Sequence, residues 1–252
     1  MKVLLVLAVF ISPYLFAEIM ECNSFEDIKS QTQKGDVLFL EIDEVLIKSK
    51  QEVGSVAFHR YLKEEMLKEG FEPEEIINRI YPIWVKIQKK IQTELASLNI
   101  VNFFKQIRSL NIPIFGLTHR GPALSLYTHE ILHDLNLSFD DENLLNLQKL
   151  KTPLVSTLNG IFFFHPIYNK GKFLMKLTED KKFKRIVCVD YELVNLVSMQ
   201  QLADSKGISF LGLYYKNQDL NVSDYTVEIG KMQLKFLDQI LPDNIANILI
   251  EN

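Results

Sequence analysis

The chain has 252 residues, a formal net charge of −4, 47% apolar residues and 24% charged ones. That composition belongs to a folded globular protein and excludes a disordered one. The acidic balance argues against nonspecific nucleic-acid binding, which needs a basic footprint. The length allows one core domain plus a modest insertion.

Met1-Lys2 is followed by an apolar run from Val3 to Phe16 and then by Ala17-Glu18. One positive charge, a short apolar core and a small residue form the pattern of a secretory signal peptide over residues 1–17. The run falls short of the roughly 20 residues that span a bilayer, with an uncleaved anchor as the alternative. The expectation is an exported chain, periplasmic or secreted, with no membrane contact after cleavage. Ile19-Met20-Glu21-Cys22 lacks the small residues expected before a lipidated cysteine. Cys22 is expected in a mobile new N-terminus and Cys188, inside Ile186-Val187-Cys188-Val189, reads as core filler, so no bridge is expected between them.

Ser24 is placed to cap a short helix with acids in its first turn. Asp36-Val37-Leu38-Phe39-Leu40-Glu41-Ile42-Asp43-Glu44 then reads as a buried strand of a parallel sheet that ends in acid. Carboxylates at the carboxyl end of such a strand are costly unless they meet a cation or hydrogen-bond donors. That end is also where ligands sit in open α/β sheets. Glu41 and Asp43 are two apart, so on extended backbone both leave the same face.

From Ser55 to about Leu110 the apolar spacing is helical, with a break at Gly70 to Pro73 and a kink or break expected at Pro82. A strand-to-strand crossover needs far less chain. Residues 48–97 therefore read as a small helical cap inserted after the first strand, its aromatics mostly cap core, with Tyr81 and Trp84 as candidates for ligand contact.

Ile112 to Thr118 is a second apolar strand, ending in a hydroxyl. His119 and Arg120 after it could touch an anion or be polar residues of a turn. His129 and His133, four apart on the next helix, have metal-ligand spacing but no third ligand and read as exposed. Asn159-Gly160 between β-prone runs signals a hairpin over or beside the sheet. His165 after it reads as an edge residue ahead of a pocket one. Lys170-Gly171 opens a helix, with Lys172 as the rival lysine. The cluster Lys181, Lys182, Lys184, Arg185 reads as a solvated turn into a third buried strand, Ile186 to Asp190, which again ends in acid. Asp190 could bind a cation or cap the helix beyond. A further strand is expected over 208–215 and an amphipathic helical tail over 227–249, broken at Pro242.

An acidic strand end, a Thr strand end, a Lys at a helix start and an Asp strand end, in that order, resemble the motifs of the haloacid-dehalogenase-like (HAD-like) phosphohydrolases. The resemblance covers about Gly35 to Tyr215 and looks closest to an exported bacterial branch of that superfamily. It implies an α/β fold: a Rossmann-like three-layer parallel sheet over residues 18–47 and 98–252, with the 48–97 cap. It also implies Mg2+ held by Glu41, the Asp43 main-chain carbonyl and Asp190. Thr118 and Lys170 would hold phosphoryl oxygens, and Asp43 would be the general acid and base. Two departures stand out: Glu41 occupies the place of the nucleophilic Asp, and Tyr191 that of a second acid. One extra methylene moves a carboxylate by more than about 1 Å, enough to cost on the order of 10²-fold in rate. The resemblance therefore implies either a phosphohydrolase acting on a small phosphorylated or anionic substrate, impaired by Glu41, or a non-catalytic binding protein on that scaffold.

Overall fold

A computed structural model of the chain describes residues 17–145, 152–178, 183–216 and 222–251. The expected signal peptide up to residue 16, and Lys181 and Lys182, lie outside the described residues.

The fold is α/β, with a mostly parallel central sheet. Its middle strand is β2 (Asp36–Leu40), fully buried. Val37 and Phe39 enter one apolar layer, while Leu38 and Leu40 enter the other, as the two-residue repeat of a strand dictates. One layer is covered by α1 (Phe25–Gln31), α4 (Ile100–Ser109) and α5 (Ser125–Asp134). The other is covered by α6 (Lys170–Leu177) and α7 (Leu193–Lys206). Helices on both faces explain why β2, β5 (Ile114–Thr118) and β8 (Arg185–Asp190) read as continuous apolar runs rather than alternating ones.

The strand order is β1-β9-β8-β2-β5-β7-β6, where β1 is Glu18–Cys22, β6 Val155–Leu158, β7 Ile161–Phe164 and β9 Phe210–Tyr215. Among these, only β6 runs antiparallel to its neighbour. The hairpin extends the sheet: Asn159 and Gly160 both take positive φ, 47° and 76°, as a two-residue turn of matching twist requires. β1 corrects the expectation of a mobile N-terminus at Cys22. It pairs with the edge of β9, whose backbone groups would otherwise lack partners, and buries Cys22 to 2% exposure. Cys188 is also buried, and both thiols are free.

Between β2 and α4 the chain leaves and re-enters through an antiparallel ribbon of β3 (Ile47–Ser49) and β4 (Thr93–Leu95). The ribbon carries a 3-10 turn (Glu52–Gly54), α2 (Val56–Lys68) and α3 (Pro73–Gln88). A stem of strands was not expected from the helical spacing. Nor does Pro82 break α3, which runs through it. Pro82 and Asn78, whose carbonyl loses its helical donor, both face solvent, while Ile76, Ile80 and Trp84 hold the other face in a buried cluster.

The carboxy-terminal helices α8 (Asp224–Leu234) and α9 (Asp243–Glu251), read from the sequence as part of the core, make contacts with the insertion. Gly230 lies so close to Phe58 that a Cβ would stand 2.3 Å from its Cδ2. Buried Gln233 accepts a hydrogen bond from Val53 N (2.9 Å) and donates to Leu241 O and Asp243 Oδ1 (2.7 Å each). Leu234, Leu237 and Ile240 pack on Val53, Phe58, Ile87 and Ile91.

Candidate functional site

The parallel register brings three strand ends to one edge. Leu40 pairs with Val189 and with Gly116. Glu41 therefore stands beside Asp190, and Thr118 leaves the same edge two residues past Gly116. Helix α6 begins at Lys170 because Asn169 caps it, accepting from Lys172 N at 3.0 Å. That start delivers the Lys170 ammonium between two carboxylates: it donates to Glu41 Oε2 and, at 3.0 Å, to Asp190 Oδ2. Lys172 is exposed.

Each of these carboxylates also meets backbone. Glu41 Oε1 accepts from Ile42 N at 2.8 Å. Asp190 Oδ1 accepts from Glu192 N at 2.8 Å, and its Oδ2 from Asn195 Nδ2 at 3.0 Å. Asp190 thus serves the helix start and the lysine together.

Burial sets the electrostatics. It pushes the Glu41 carboxyl up to about 7; Lys170 opposes that rise, and Asp190 and Asp43 add to it. Burial alone would lower the Lys170 amine, but the Asp190 and Glu41 carboxylates outweigh it, so its affinity for the proton is raised. Lys170 is an ammonium.

Asp43 lies in a second polar knot that the sequence did not announce. Its carboxylate is gripped by Arg120: Nε donates to Oδ1 (3.0 Å) and Oδ2 (3.1 Å), and Nη2 to Oδ1 (2.8 Å). Nη2 also donates to Gln88 Oε1 (2.8 Å) and Nη1 to Thr128 Oγ1 (3.2 Å). Gln88 in turn donates to Gly54 O at 3.1 Å. One guanidinium, on a side chain 2% exposed, therefore ties the acidic turn to α5 and to the insertion. Arg120 is neither an exposed turn residue nor free to meet an anion. The signal that could have found it is its place two residues after the strand-end Thr118, whose Oγ1 accepts from Arg120 N at 3.2 Å.

Above this edge lies a cavity of about 350 Å³. Asp43, His119 and Tyr191 line it from the sheet side; His59, Lys63 and Trp84 line it from the insertion. Of the residues anticipated for chemistry, Asp43 alone reaches the lining. Glu41, Thr118, Lys170 and Asp190 lie beneath it, each at most 4% exposed. Burial, then Lys170 and, more weakly, Lys63 hold the His119 imidazole well below its ordinary pKa. It stays neutral, with Nε2 placed to donate to Tyr168 O at 3.0 Å. His165 is not an edge residue: its ring packs edge-on against Tyr81 of α3, 4.6 Å between centroids. His129 meets Asn159 of the hairpin turn at 2.7 Å, and His133 is exposed.

Among the described residues no three His, Cys, Asp or Glu side chains cluster as metal ligands. A magnesium ion asks for less: one or two carboxylates, with waters and phosphate oxygens completing the octahedron. Glu41 and Asp190 supply hard carboxylate oxygens side by side at the strand ends, both within reach of the Lys170 ammonium. The donor set fits such an ion.

A family model described as "Protein of unknown function (DUF2608)" matches residues 21–247. A Chlamydia muridarum protein named "Putative outer membrane protein" is 24% identical over 95% of this chain and 98% of its own. A Chlamydia trachomatis protein of the same name is 22% identical over 99% and 97%. An uncharacterized Rickettsia bellii protein is 22% identical over 92% and 89%. No solved structure matches the chain. Among the described residues no helix is long and apolar enough to cross a membrane.

Proposed function

We propose that this chain, which belongs to the DUF2608 family, is an exported HAD-like phosphohydrolase acting on a small phosphomonoester. One observation supports this reading above others: Glu41, Lys170 and Asp190, from three separate elements, meet beside Thr118 at the carboxyl edge of a parallel sheet, under a cavity closed by an inserted segment. Phosphoryl transfer is mostly positioning and charge neutralisation, and this edge offers both. Lys170 and Thr118 hold the phosphoryl oxygens. Asp43 gives a proton to the leaving alcohol and takes one from the hydrolytic water. Glu41 stands where HAD-like enzymes carry the residue that attacks phosphorus. Glu41, Asp190 and the Asp43 carbonyl would hold magnesium, which when bound neutralises charge on the phosphoryl group. Export is supported by the sequence of residues 1–17 and by the names of the chlamydial relatives.

A second reading, ligand binding without turnover, is favoured by two contacts. Glu41 Oε1 is folded back onto Ile42 N, and both Asp43 oxygens are held by Arg120. Either carboxylate has to leave those partners to react. The test is hydrolysis of 4-nitrophenyl phosphate with magnesium by wild type, Asp43→Asn and Glu41→Asp. Wild-type turnover abolished in Asp43→Asn supports the enzyme. No turnover in wild type or in Glu41→Asp rejects it in favour of the binder, and activity gained only by Glu41→Asp identifies a decayed enzyme.

A further inference from the structure

The insertion wall of the cavity carries cations that the phosphoryl edge does not use. Arg60 and Lys63 both line it, three residues apart and so on one face of α2. Lys63 is half-buried, and among the described residues no carboxylate stands within ion-pair distance of it.

Of the two acids that face the same space, one is ion-paired and the other is hydrogen-bonded to a neutral amide. Asp43 is paired with Arg120, and Glu192, at the start of α7, accepts from Asn195 Nδ2 at 3.1 Å. His59, beside Lys63, is neutral, its imidazole pushed down to about 3 by burial and then by Lys63. Its ring lies tilted against that of Trp84, 4.5 Å between centroids. The ammonium groups of Lys63 and Lys170 both bear on His119, one from the insertion and the other from the phosphoryl edge. The space between is small, near the lower end of the roughly 300–1,000 Å³ of ligand sites.

We infer that the ligand of this cavity is a small phosphomonoester carrying a second anionic group, which Lys63 binds on the insertion wall while an apolar or flat body lies beside Trp84. The inference rests on the phosphomonoester reading for its first anion. A half-buried ammonium against a carboxylate at about 4 Å interacts strongly enough for about a tenfold gain in affinity.

Trp84 is the chain's single tryptophan and lines the cavity, so its fluorescence reports binding without turnover. Three inert probes separate the possibilities: phenylphosphonate, 4-carboxyphenylphosphonate and terephthalate. The expected result is about tenfold tighter binding of 4-carboxyphenylphosphonate than of phenylphosphonate, with terephthalate weakest. Lys63→Met should remove that preference and Lys63→Arg should keep it. Equal affinities for the two phosphonates in wild type, a preference that survives Lys63→Met, or no binding of any probe would overturn the inference. Terephthalate binding as tightly as 4-carboxyphenylphosphonate, with the preference still dependent on Lys63, would leave the second-anion site standing and reject the phosphoryl site instead.

Discussion

Replacing Arg120 by methionine keeps an apolar stem but removes the donors that hold Asp43, Gln88 and Thr128. Breaking one partner of a buried ion pair costs about 3–5 kcal/mol, because the other charge is left without compensation. Here the Arg120 side chain is 2% exposed but that of Asp43 is 19% exposed, so water recovers part of the carboxylate's loss. Gln88 and Thr128, at 1% and 0% exposure, recover nothing, and an orphaned buried acceptor adds about 1 kcal/mol. The expected destabilisation is therefore about 3 kcal/mol or somewhat more. Urea unfolding followed by circular dichroism measures it, alongside Asp43→Asn and the double variant. The two single losses should exceed the double loss by about 2 kcal/mol, since in the double variant neither charge remains to be stranded. A loss below about 1 kcal/mol for Arg120→Met, or additive single effects, would show that the guanidinium and this carboxylate do not form a buried pair.

The Glu41 carboxyl binds its proton more tightly in the folded chain, at about 7 against an ordinary 4.5. Its contribution to stability is thus complete below pH 4.5 and lost as pH rises through 7. Urea midpoints between pH 4.5 and 7.5 should fall for wild type relative to Glu41→Gln, and parallel curves would refute the shift; the opposite trend from the neutral His59 and His119 imidazoles is common to both proteins and cancels. Gly121→Ala should cost about 2–3 kcal/mol in the same assay: its φ of 73° is strained for alanine, and the added Cβ meets the Tyr81 hydroxyl at 2.0 Å. Adding Tyr81→Phe should return part of that loss, since the oxygen goes while Cζ, at 2.8 Å, stays. Gly230→Ala drives a Cβ into the buried Phe58 ring and should lower stability by about 1–3 kcal/mol; a neutral effect would separate α8 from the insertion.

What could be read from residue order alone was local. The buried strands ending in Glu41, Thr118 and Asp190 were legible because a strand's two-residue repeat and the covering of both sheet faces leave an unbroken apolar run. The hairpin was legible because Asn159-Gly160 suits two consecutive positive φ angles. Ser24 was legible as a cap because it accepts from Asp27 N, three residues on. Tertiary structure decided the rest, where partners are far apart in the chain. Arg120 finds Asp43 from 77 positions away and Lys170 finds Glu41 from 129, and neither Arg nor Lys signals its partner in its own neighbourhood. Pro82 remains helical because packing on the opposite face outweighs one lost hydrogen bond. β1 forms because β9 presents an open edge, and α8 and α9 settle on the insertion because Phe58 offers an apolar seat and buried Gln233 of α8 ties Val53 of the insertion to Asp243 of α9. Periodicity shows that a helix has a face to bury; only the assembled chain determines which surface receives it.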